Sequence, residues 1–175
     1  LMVGGYAIDL ANVMTARTQL QVTVDATAHA ALLTRELKPE SEAKAKALAI
    51  AQANMPAALY GDILDEDSIE FGVWDTTTRT FQPLAGSRQA VRVRVGRNAL
   101  RENPVETYLL KLVGMDSWNV TRDAILVAYT PTCFNEGFVA EGVVEIQSNN
   151  NYYNGFCIHS NQHVELNNNN YFEPG

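Results

Sequence analysis

From Tyr6 to about Leu33 the apolar positions Leu10, Val13, Leu20, Val24, Ala28 and Ala31 recur mostly at steps of three, four or seven. That is the spacing of one helix face, and it predicts a single long helix. Pro39 marks a second start, and the Ala-rich stretch from Ser41 to Asn54, stopped by Pro56, predicts a second helix whose small side chains allow close packing. Two successive helices with a short connection predict an antiparallel hairpin. The pattern then changes to a period of two. Ile69, Phe71 and Val73 alternate with Glu70 and Gly72, and Val91, Val93 and Val95 alternate with Arg92 and Arg94, with turn residues from Asp75 to Thr78. These are half-buried antiparallel strands. Asn103, Pro104 and Glu106 fit the N-cap, N1 and N3 positions of a capping box ahead of Tyr108, Leu109, Leu110 and Leu112, and Gly114 suits a helix stop. A short helix covering the sheet is expected there. Trp118 to Tyr129 reads as a last strand, so residues 1–130 form an α+β unit of helix hairpin, antiparallel sheet and short helix.

Beyond Pro131 the pattern is different. Val144-Glu145-Ile146-Gln147-Ser148-Asn149-Asn150-Asn151-Tyr152 is echoed by Val164-Glu165-Leu166-Asn167-Asn168-Asn169-Asn170-Tyr171, twenty positions later. Twenty residues suit one rung of a right-handed parallel β-helix or solenoid. Ile146, Ile158 and Leu166 would then point inward, while Asn at the corners accepts left-handed backbone and stacks its amide on the next rung. At least three repeats are normally needed for such a coil, so the expectation includes further rungs after Gly175 or a capping partner.

Composition agrees with a break near Pro131. All 13 Lys and Arg lie in residues 1–130 against 15 acids, whereas residues 131–175 hold five acids and no base. The formal charge of −7 excludes nucleic acid as a partner, because the phosphates would be repelled. With 46% hydrophobic residues the chain is long enough to bury a core. The opening run from Leu1 to Ile8 contains Gly4 and Gly5, meets Asp9, and is far shorter than the roughly 20 residues a bilayer requires. It reads as the end of a longer hydrophobic segment, with a buried N-terminal helix as the alternative.

Gly5-Tyr6-Ala7-Ile8-Asp9-Leu10-Ala11-Asn12, with Arg17, Leu20, Gln21 and Asp25 following, resembles the N-terminal signature of TadG-like Flp (Tad) pilus assembly proteins. The marks are Gly and Asp at the exit of an apolar span, then Arg and Leu-Gln, then Asp in an Ala-rich helix; Arg17, Gln21 and Asp25 form a polar row at i, i+4 spacing. Pro131-Thr132-Cys133, followed by Gly155-Phe156-Cys157-Ile158, is similar to the Cys-flanked start of the repeat region in some of these proteins. The resemblance implies a membrane anchor preceding residue 1 and an ectodomain in the periplasm or at the cell surface. Its partners would be pilus or envelope proteins, with self-association and surface glycans as further options. In an exported chain the even cysteine count permits a Cys133–Cys157 disulfide, with two buried thiols as the alternative.

The remaining chemistry favours binding over catalysis. No nucleophile elbow, zinc-spaced His and Glu set, phosphate loop or dinucleotide fingerprint occurs, and no cofactor or metal is implied. His159 and His163 fall on strand and corner, where four residues do not bring two imidazoles to one ion. Glu145 and Glu165 would stack on adjacent rungs and face water, with a bridging Ca²⁺ as the other reading. Arg88, Arg92, Arg94, Arg97 and Arg101 form a basic cluster, in which Arg92 and Arg94 mark the solvent face of a strand or an interaction surface, and Asp62, Asp65, Glu66 and Asp67 could complement it. Tyr152, Tyr153, Tyr171 and Phe172, set among Asn amides, suit stacking on sugars or identical subunits, or packing inward. The expected function is a non-enzymatic envelope protein acting in pilus assembly, anchoring or adhesion. A pilin-like filament subunit and a β-solenoid carbohydrate-binding protein or lyase are the alternatives.

Overall fold

The computed structural model describes residues 2–128 and 137–173. The chain divides into two compact units, Leu1–Ala128 and Tyr129–Gly175. In chain order the first holds α1 (Met2–Leu37), α2 (Glu40–Asn54), α3 (Ala57–Tyr60), β1 (Ile69–Asp75), β2 (Thr80–Pro83), β3 (Ala90–Arg97), β4 (Val105–Glu106), β5 (Ser117–Trp118) and β6 (Val120–Val127).

Of the apolar stripe of α1, Val13, Leu20, Val24, Ala28 and Ala31 are core residues, joined by Ala16, whereas Leu10 is half-buried. Full burial of residues such as Leu20 and Val24 contributes about 1.5–3 kcal/mol each. The buried face of α2 is Ala43, Ala47 and Ala51, at steps of four, so this helix approaches α1 closely. Asn54 and Met55, at the end of α2, share a cleft with Thr18, Gln19, Val22 and Thr23 of α1. The two helices are therefore antiparallel, the hairpin read from the sequence. Pro39 sits extended at the start of α2, and Glu40 and Glu42 in its first turn complement the helix dipole.

The sheet has the order β2-β1-β3-β6 and every pairing in it is antiparallel. Ile69, Phe71, Val91, Val93, Val95 and Ala124 form its buried face, which packs against α1. The opposite face carries Glu70, Arg92, Arg94 and Ile125. Strand β2 had no signal in the sequence, because its residues are mostly exposed and it ends in Pro83.

One expectation is overturned. Residues 103–114 do not form a capped helix over the sheet. Val105–Glu106 and Ser117–Trp118 pair as an antiparallel hairpin, and only a short 3-10 turn, Leu110–Val113, lies between them. Gly114 does terminate this turn in the left-handed region at φ 83°. The element that covers the sheet is α1. The physical reason lies with Asn103, whose side chain is buried and committed elsewhere, as described below, so it cannot cap a helix.

In the second unit, β7 (Gly137–Ala140), β8 (Val144–Ile146) and β9 (Asn151–Tyr152) pair in parallel with β10 (Cys157–Ser160), β11 (Val164–Leu166) and β12 (Tyr171–Phe172). Each partner lies twenty positions on, as in Gly137 with Cys157, Val144 with Val164 and Asn151 with Tyr171. The chain thus makes two stacked turns of the echoed repeat. Asn154 and Asn168 occupy left-handed backbone, at φ 58° and 68°. Ile146 is buried at 6% exposure, but Leu166, its equivalent one turn later, is 52% exposed. Leu166 is the register partner of Ile146 but is left uncovered, because no described strand stacks on the second turn, and Ile158 is half-buried.

Candidate functional site

The polar heart of the first unit is the carboxylate of Asp9. It has no exposed surface and accepts the backbone N–H groups of Tyr108, Leu109 and Leu110 at 2.6, 2.9 and 2.7 Å. Burial pushes the Asp9 carboxyl upward, but the three N–H donors, assisted by the charge of Lys111, outweigh it and hold the group below its ordinary value. One turn further along α1, Asn12 donates its amide to the Glu106 carbonyl at 3.0 Å. Together they fasten the start of α1 to the β4–β5 hairpin. Of the signature residues, Leu20 is core, and Gln21 donates to Asp25 at 2.9 Å along the exposed row that also holds Arg17. Gly5 lies in the first turns of α1.

The base of the same hairpin is set by Asn103. Its amide nitrogen lies 3.2 Å from the carbonyls of Tyr60 and Asp62 and 3.4 Å from that of Gly96, and its oxygen accepts the N–H of Asn98 at 2.9 Å. Gly61, at φ 69°, passes so near that a Cβ there would lie 2.6 Å from the Asn103 Cβ. Arg97 donates to the Asn103 and Pro104 carbonyls and lies over the Tyr60 ring at 5.7 Å. These groups line a cleft that also contains Glu102 and Glu106. Its guanidinium and its buried amide are occupied by backbone carbonyls, an arrangement that holds a loop.

The hairpin tip presents a different surface. Thr107 and Asp116 close it through their backbone, and the eight residues between them include Tyr108, Leu109, Leu112, Val113 and Met115, which are 59, 41, 79, 60 and 48% exposed. The capping pattern in the sequence predicts a helix covering the sheet for this run. The signal against that reading was present: Tyr108 to Val113 is apolar on every side apart from Lys111 and leaves no polar face for water.

On the open face of the sheet, Arg92 pairs with Glu70, its cross-strand neighbour, at 2.6 Å and lies over the Phe81 ring at 4.9 Å. Arg94 is exposed in register with Asp123. The acidic loop does complement the basic cluster at one point, where Asp65 pairs with Arg101 at 2.7 Å. Burial raises the Asp65 carboxyl, and bonds from Ser68 with the Arg101 charge lower it further than that.

In the second unit the anticipated stacking is realised for Asn150, whose amide donates to the Asn170 oxygen at 3.1 Å. The four aromatic candidates divide into two pairs. Tyr152 and Phe172 are half-buried and stacked at 4.7 Å, with Phe156 stacked on Tyr152 at 4.9 Å, whereas Tyr153 and Tyr171 are exposed, 6.1 Å apart. Glu145 and Glu165 are register partners, and Gln147 donates to the Glu145 carboxylate. His159 contacts Asn161 and not His163. Among the described residues no group of His, Cys, Asp and Glu is arranged to hold a metal. Cys133 lies outside the described residues; among those described, no cysteine is free.

Comparison with known proteins gives two family matches. The model of a family described as Tad-like Flp pilus-assembly matches residues 18–125, more than half of the chain. Residues 137–175 match a family described as a domain of unknown function. No curated protein and no solved structure matches.

Proposed function

This chain belongs to the Tad-like Flp pilus-assembly family, and on that premise we propose that it is a non-enzymatic structural component of the cell envelope that fixes other pilus parts in place. Membership gives it a role in pilus assembly, and a pilus system is a feature of the envelope. The observation that carries the finer reading is the clamp from Asp9 to the β4–β5 hairpin. A buried carboxylate that spends three acceptor positions on backbone N–H groups builds a rigid end for a long helix, which is the task of a scaffold.

In this reading the start of α1 continues upstream into a membrane anchor, and the twenty-residue repeats form a parallel β-helix for adhesion or assembly. No helix among the described residues is long and apolar enough to cross a membrane. The anchor would lie ahead of residue 1. The disulfide would join Cys133 and Cys157 and staple the first rung. The exposed Tyr153 and Tyr171 beside Asn amides suit contact with glycans or with a second copy.

A second reading, a pilin-like filament subunit, is favoured by the exposed Val22 and Leu33, eleven residues apart and so nearly in line along the free side of α1. Such residues would pack between subunits. An in-frame deletion in the encoding bacterium, complemented with the wild-type gene or with Asp9→Ala, tests the main reading. Loss of surface pili in the deletion, restored only by wild type, is expected; an undiminished pilus count would end it. Immunogold labelling along the filament, and not at its base, would favour the second reading.

A further inference from the structure

We propose that the tip of the β4–β5 hairpin is a shallow membrane-insertion element that rests in the headgroup region of the bilayer beside the start of α1. The inference rests on the reading that this end of α1 faces a membrane, and it adds a second, independent contact with lipid.

Large exposed apolar patches are informative because soluble surfaces rarely carry them, and here one short turn leaves Leu109, Leu112, Val113 and Met115 in water. The exposure is enforced. Asp9 takes the N–H groups of residues 108 to 110, and the Thr107 and Asp116 backbones close the loop, so these side chains cannot fold back onto the sheet.

The composition selects lipid over protein. Protein interfaces draw their binding energy from Trp, Tyr and Arg set in pockets, with Leu and Val under-represented among such residues. This tip is aliphatic apart from Lys111. Tyr108 at its base, and Tyr6 one turn before Asp9 on α1, are 59 and 49% exposed, an aromatic collar of the kind found at the membrane–water boundary. Lys111 is the one charge within the tip, and its long stem can lie along lipid while the ammonium reaches phosphate. Tyr6 and Ile8, on the neighbouring turn of α1, are exposed and offer the same apolar chemistry.

The test uses the purified 175-residue chain and vesicles of phosphatidylcholine with phosphatidylglycerol in a 3:1 ratio, read by co-sedimentation. The chain should partition onto vesicles, and the double variant Leu109→Ser with Leu112→Ser should weaken this by at least about tenfold. A matched control, Val22→Ser with Leu59→Ser, removes two equally exposed apolar residues elsewhere and should bind as wild type. If Tyr6→Ser with Ile8→Ser abolishes binding while the tip variant retains it, the tip proposal is overturned and the anchor reading survives. Absence of vesicle binding by the wild type also overturns it. So does a wild-type dimer, in sedimentation velocity without vesicles, that the tip variant converts to a monomer.

Discussion

The carboxylate of Asp9 meets the backbone N–H of Leu110 at 2.7 Å across 101 positions of chain, and it does so without any exposure to water. Asp9→Ala is expected to loosen the β4–β5 hairpin more than Asp9→Asn, which keeps one acceptor but loses the charge. Amide hydrogen exchange at Tyr108, Leu109 and Leu110 checks the ranking. Equal protection in all three proteins would contradict it.

The same group makes stability depend on pH. Asp9, Asp65 and Asp75 all have carboxyls held below their ordinary value of 3.8 in the folded chain. For Asp75 the leading cause is the N–H of Thr78. The unfolded chain therefore binds protons first as pH falls, so the contribution is complete well above 3.8 and is lost as pH drops through the folded values. Denaturant midpoints measured from pH 6 to pH 3 should decline. The decline should be smaller in Asp9→Asn.

Asn103→Asp is expected to cost more than Asn103→Ala. The alanine leaves the Tyr60, Asp62 and Gly96 carbonyls short of a donor, at about 1–3 kcal/mol for each buried group deprived. The aspartate adds a charge facing those same oxygens. Urea unfolding of the two variants decides the order.

In the core, Leu20→Ala is expected to destabilise by about 2–5 kcal/mol, whereas Val22→Ala, two residues away and 58% exposed, should change stability by about 0.5 kcal/mol or less. Thermal or urea unfolding distinguishes them.

The second unit allows two checks. Alkylation without reductant should leave the mass unchanged if Cys133 and Cys157 are joined, a bond that contributes about 3 kcal/mol; quantitative labelling would refute the pairing. Ile146→Asn should raise hydrogen exchange across residues 137–173, and Leu166→Asn should not, since only the former is covered by a second turn.

Much of the first unit was legible from periodicity, because burial on one side imposes a visible rhythm on α1, β1 and β3. The misreading at 103–114 has a definite physical source. Asn103, Pro104 and Glu106 form a sound local cap, but the carbonyls of Tyr60, Asp62 and Gly96 recruit the Asn103 amide, and Asp9 recruits the N–H groups that would have begun the helix. Tyr60, Asp62 and Asp9 lie in distant parts of the chain, so no local window contains them. Asp9 was recognisable as a signature residue, yet its partner lay too far along the sequence to be named. In the repeat region the echo was readable because stacked rungs must place like on like, as Asn150 on Asn170 does. The exposure of Leu166 was not readable, since an echo reports which residues are equivalent and not which has a neighbour.

The twenty-residue register has a consequence for how such a protein changes over generations. Each strand of the second turn lies against the residue twenty positions before it. Duplicating or deleting twenty codons therefore returns every side chain to an equivalent neighbour, whereas losing nineteen turns the inward Ile146 column outward. Length in this region can therefore change in whole steps of twenty residues without altering the register of the strands.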